Sequence, residues 1–134
     1  MMYQEFYLPS YDWRFIIYYN VSGRQAWEIL EKLRSLGASG RIMKRAEDNL
    51  FFGGLNSGFT CTMEQSRTSL IVIGQVTSAA EFWNTFDHEK GHASTHVAEA
   101  LGLDPNGEER QYLSGTIAKE AFKVARLYVC DKCM

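Results

Sequence analysis

Asp87-His88-Glu89-Lys90-Gly91-His92 lies in the middle of a stretch, Ala79 to Leu101, whose apolar residues recur at helical spacing. In a helix, positions i and i+4 project from one face, so His88 and His92 can both aim an imidazole nitrogen at one tetrahedral Zn²⁺. Glu89, one residue past the first histidine, flanks the same point and can take a proton from a water there. The segment therefore predicts one long amphipathic helix with a candidate metal pair on it, and the rest of the chain is read for what holds that helix.

Downstream, Gly102 closes the helix and Asp104-Pro105-Asn106-Gly107 is a turn signal. A last helix is predicted from Glu108 to Arg126, with Tyr112, Leu113, Ile117, Ala121 and Val124 spaced for a buried face. Upstream, Ser78 and Glu81 form a capping-box pattern, and Phe82, Trp83 and Phe86 are expected as core anchors. Before that, the period switches toward two. Leu50 to Phe52, Gly58 to Glu64 and Thr68 to Val76 predict three strands, and Arg41 to Arg45 a further short strand or a loop. Ser22 and Gln25 make the first capping box, opening a helix with Ala26, Trp27, Ile29, Leu30, Leu33 and Leu36 on its apolar face and Gly37 as its C-cap. Arg14 to Val21 reads as a strand, and residues 1–13, with Pro9, as a tied-down arm or an irregular lead-in.

At 134 residues the chain is expected to form a single domain, 1–134, with a real core. Its net charge of −2 without a basic stripe speaks against nucleic acid and anionic membranes as partners. The best apolar run, Leu70 to Ile73, is too short to cross a bilayer, and the charged, aromatic first twenty residues do not read as a signal peptide. A cytoplasmic location is expected, and three cysteines make no disulfide framework.

A catalytic zinc site needs three protein ligands and one open position. The metzincin extension is excluded, because Thr95 and Ala98 stand where it needs glycine and histidine. His96 lies about two helical turns from His88 and cannot share one ion with both other histidines. The remaining candidates are the acids that open the next helix, Glu108 and Glu109, returned toward the first helix by the short turn.

The segment from Asn84 to His92, followed by Glu108-Glu109-Arg110-Gln111-Tyr112-Leu113, resembles the small His-Glu-x-x-His proteins encoded by phages and prophages of gut bacteria, regarded as minimal gluzincin-like metallopeptidases. The likeness covers about residues 58–115. The family's second motif resembles Glu-x-x-Ala-Tyr-Leu, which puts Glu108 in the ligand position, with Glu109 as the alternative ligand and Gln111 in place of alanine. The resemblance implies one Zn²⁺ per chain on His88, His92 and Glu108, a peptide or protein substrate, and a bacterial or phage-infected cell as the setting. Zinc would acidify a water and polarise the scissile carbonyl, Glu89 would serve as general base, and His96, Arg110 and Tyr112 are candidates to stabilise the oxyanion or support the ligands. An edge strand at 58–64 or 68–76 would pair with extended substrate. The fold expected is a compact α+β zincin-like domain, a small, mostly antiparallel sheet packed on two or three helices including the His-Glu-x-x-His helix.

The rival from another class is a zincin-fold scaffold that binds a protein partner without cleaving it, with or without structural metal. A third reading, thiol redox chemistry through Cys130 and Cys133, is disfavoured by the motif's place at a chain end. Asp87 reads as a local cap or a solvated charge, and oligomeric state has no sequence signature.

Overall fold

The computed structural model describes residues 1–52 and 58–129. Contacts divide the chain into two units, Met1–Gln75 and Val76–Met134. The chain is α+β, as expected.

The first unit is built on a four-stranded sheet of order β1-β2-β4-β3, from β1 (Met2–Leu8), β2 (Trp13–Val21), β3 (Gly58–Met63) and β4 (Thr68–Gly74). The β1–β2 and β3–β4 pairs are antiparallel and β2–β4 is parallel, so the sheet is mixed with antiparallel pairing in the majority. β2 and β4 read as continuous apolar runs because both of their faces are buried, which is the usual condition of a parallel pair. On one face Ile16, Leu70 and Cys61 stand in register, as do Tyr18, Val72 and Phe59. This face packs on α1 (Ala26–Ser35) and α2 (Gly40–Glu47) through Ile29, Leu30, Leu33, Ile42, Met43 and Ala46.

Local chemistry sets the ends of these helices. The capping box at Ser22 forms, with the Ser22 backbone N–H donating to Gln25 Oε1 at 2.8 Å, and a short 3₁₀ turn leads into α1. Gly37, at φ +82°, closes α1 with Ala38 N–H donating to Leu33 O at 3.0 Å and Gly37 N–H to Arg34 O at 3.1 Å.

Four expectations are corrected in this unit. Residues 2–8 form β1 and are no irregular lead-in. Their side chains are mostly exposed, so the strand is set by backbone pairing to β2, while Pro9 stays in the turn that follows. Arg41 to Arg45 is neither strand nor loop but the body of α2, capped by Ser39 and facing the core through Ile42, Met43 and Ala46. Leu50-Phe51-Phe52 is no strand; the backbone continues as a π-helical turn, Asp48–Phe52, that buries Leu50. Trp27 is 68% exposed, standing outside the apolar face of α1. Of the two segments expected to offer an edge, only 58–63 does, because β4 is an inner strand flanked on both sides.

The second unit is a helical hairpin of α3 (Ala79–Ala100) and α4 (Glu108–Ala125), followed by a 3₁₀ turn, Arg126–Tyr128. The Ser78 hydroxyl caps α3, accepting from Glu81 N–H at 3.1 Å. Gly102, at φ +72°, ends it with Leu103 N–H donating to Ala98 O at 2.8 Å. Asp104 builds the turn, its Oδ1 accepting from Asn106 N–H at 2.9 Å and its carbonyl from Gly107 N–H at 3.0 Å. A Cβ at Gly107 would come within 3.1 Å of Asp104, a tight approach that Asp104 would have to relieve by a few tenths of an ångström. The helices run antiparallel: Arg110 meets Gly91, and at the other end the Phe82 and Tyr128 rings stack 5.1 Å apart. Trp83, at 51%, and Tyr112, at 61%, are exposed rather than buried, and the inner stripe of α4 is Leu113, Ser114, Ile117, Ala121 and Ala125. Among the described residues no helix is long and apolar enough to cross a membrane.

Candidate metal centre

The buried stripe of α3 runs Phe82, Phe86, Glu89, Ala93 and Val97, at spacings of three and four, with Thr85, Ser94 and Ala98 buried alongside. His88 and His92 lie off this stripe and are exposed. Their rings stand edge to face, centroids 4.7 Å apart, with the two Nε2 atoms at 3.1 Å. The side chains thus converge through their tips, with one ring nitrogen donating and the other accepting.

That spacing bears on whether the pair suits zinc. Bonds of about 2.0–2.1 Å at a tetrahedral angle hold two nitrogens about 3.3–3.4 Å apart. The observed pair is within a few tenths of an ångström of that value, and both rings are open to solvent, where an ion and a substrate have access. Helix geometry alone thus brings the two imidazoles to a separation that one tetrahedral ion would accept.

The other candidates stand as follows. His96 is half-buried one turn beyond His92, its ring 6.2 Å from the His92 ring, centroid to centroid. Glu108 and Glu109 are both exposed in the first turn of α4. Among the described residues no group of three His, Cys, Asp or Glu side chains is close enough to hold an ion, so neither acid joins the histidine pair in this conformation. Asp87 pairs with Lys90 at 3.2 Å along the helix, which accounts for its charge locally. Glu89 is 4% exposed and sits on the core stripe. Cys61 is buried in β3, and Cys130 and Cys133 fall outside the described residues.

The contact from the start of α4 to the motif is made by Arg110. Its Nη2 donates to the Gly91 carbonyl at 3.3 Å, inside the His-Glu-x-x-His segment, and its Nε is buried with no hydrogen-bond partner among the described residues. The signal was present in the helix phase. Arg110 lies three residues before Leu113 and four before Ser114, so it continues the buried stripe of α4, whereas Glu108 and Glu109 fall outside it. Gly91 does not owe its identity to this contact, since a Cβ there would sit an ordinary 3.7 Å from Arg110 Nη2.

Comparison with known protein families, with curated proteins and with solved structures gives no match to this chain.

Proposed function

We propose that this chain is a zinc-dependent peptide hydrolase of the gluzincin type, acting in the cytoplasm of a bacterial or phage-infected cell. The observation that carries the reading is the convergence of His88 and His92 at 3.1 Å on an exposed helix face. Zinc held there would supply Lewis-acid polarisation of a scissile carbonyl and acidify a water beside it. The third ligand in this reading is Glu108, with Glu109 one residue on as the alternative. What supports an acid from this turn is the Arg110–Gly91 hydrogen bond, which brings the start of α4 alongside the motif.

The side chains then divide the work. His88 and His92 bind as neutral imidazoles, each through one nitrogen lone pair. Glu89 accepts the proton of the attacking water and passes it to the departing amine. Arg110 and Tyr112 are the donors available to the developing oxyanion, with His96 beside the pair as a further candidate.

A second reading has its own support. Glu89 is nearly sequestered on the core stripe, and a carboxylate held there suits a non-catalytic zincin-fold scaffold that binds a protein partner.

Incubation of the zinc-loaded chain with a peptide library separates the two. A hydrolase cleaves, loses cleavage to a chelator, and falls by about 10²-fold or more as Glu89→Gln, which removes the base while keeping side-chain shape. Intact peptides from zinc-loaded wild type would leave the scaffold reading, and equal cleavage by Glu89→Gln would contradict Glu89 as the base.

A further inference from the structure

A second candidate site lies wholly within the first unit and stands independently of the metal reading. A cleft of about 470 Å³ opens where β1 and β2 meet α1, lined by Tyr3, Tyr18, Glu28 and Lys32 among others. This falls in the volume range of small-molecule sites.

The polar groups in it are uncommitted in a complementary way. Tyr18 is only 3% exposed, yet its hydroxyl forms no hydrogen bond with any described residue. The oxygen itself is not sequestered, since Arg110 Nε is the buried side-chain atom without a partner among the described residues; the Tyr18 hydroxyl therefore reaches solvent and can bond a ligand atom in place of water. Glu28 makes no ion pair with a described residue, whereas the neighbouring acids Glu31 and Glu5 are met by Arg34 and Arg14. Lys32 makes no ion pair either; its Nζ rests over the Tyr3 ring, 5.9 Å from the centroid. The Tyr3 and Tyr18 rings, packed edge to face at 5.2 Å, supply apolar wall.

The cleft thus offers one anion, one cation and one hydroxyl, none of them paired with a described residue, beside aromatic surface. A pure anion would leave Glu28 unmatched, and a pure cation would meet Lys32. We propose that this cleft binds a small zwitterion of the α-amino-acid class, its ammonium on Glu28, its carboxylate on Lys32 and the Tyr18 hydroxyl, and its side chain against the tyrosine rings.

The test is an NMR titration of the full ¹⁵N-labelled chain with L-leucine, beside isopentylamine and isocaproate, which each keep one charge. The expected result is saturable shifts around Tyr18, Glu28 and Lys32 with L-leucine, and binding weaker by about tenfold or more with either analogue. Tyr18→Phe keeps the ring contact and removes only the hydroxyl; it and Glu28→Gln should each weaken L-leucine by about tenfold with an otherwise unchanged spectrum. Saturable binding of one analogue as tight as that of L-leucine would overturn the zwitterion assignment. So would affinity untouched by both substitutions, or no shifts with either L-leucine or an equimolar mixture of the standard amino acids.

Discussion

Glu89 and Tyr18 are both almost wholly removed from water, and each carries a polar group that an apolar residue would have spared the fold. At Tyr18 the effect on ionisation is explicit. Burial, with the negative charges of Glu28 and Glu5 adding to it, pushes the phenol up to about 12 from its ordinary 10.0. The folded chain therefore keeps this proton at pH values where the unfolded chain has lost it. The stability contributed is complete below about pH 10 and is lost as pH rises through about 12. Ultraviolet difference titration of wild type against Tyr18→Phe should show this phenolate appearing near pH 12; appearance near pH 10 would mean that neither burial nor the nearby acids act on it. At the histidine pair, the residue scale is where sequence reading did best. His88 and His92 converge because spacing i, i+4 dictates it. Glu108 and Glu109 were chosen for their chemistry, while helix phase turned Arg110 inward instead.

Helix ends were legible because each is built from a few neighbouring residues: the capping box at Ser22, the hydroxyl of Ser78, and the glycines at 37 and 102 with positive φ. These positions also yield opposed expectations for one substitution. Gly115 lies within α4, and a Cβ there would meet nothing within 4 Å, so Gly115→Ala should stabilise by about 0.5–1 kcal/mol. Gly102 holds φ +72°, and Gly102→Ala should cost about 1–2 kcal/mol. Urea unfolding of the two variants checks both; a shift of the same sign in each would contradict the backbone assignment at one of them. Elements without such signals were missed. α2 spans only eight residues and shows its helical period only once Ala46 is counted with Ile42 and Met43, and β1 carries little apolar alternation because its partner β2, rather than a core, specifies it. The three aromatics expected inside but found exposed, Trp27, Trp83 and Tyr112, each sit beside a buried position, where a shift of one residue, about 100° around the helix, changes the environment.

For the whole molecule, the α+β class followed from alternating periodicities, but the strand order β1-β2-β4-β3 did not. Which strands become neighbours depends on how α1, α2 and β3 are accommodated between β2 and β4, and no local pattern encodes that. The parallel β2–β4 pair does leave a trace in retrospect: both segments are apolar at nearly every position, as strands buried on two faces must be. The functional reading rests on the second unit, where a helical hairpin presents two converged histidines and ties the first turn of α4, through Arg110, to the Gly91 carbonyl. The most direct test is metal content by plasma mass spectrometry on untagged chain after zinc is added back and excess removed, beside His88→Ala, Glu108→Gln and Glu109→Gln. The expected result is about one zinc per chain, lost in His88→Ala and Glu108→Gln and kept in Glu109→Gln. Zinc retained by Glu108→Gln and lost by Glu109→Gln would move the third ligand by one residue, and no stoichiometric zinc in wild type would contradict the metal centre itself.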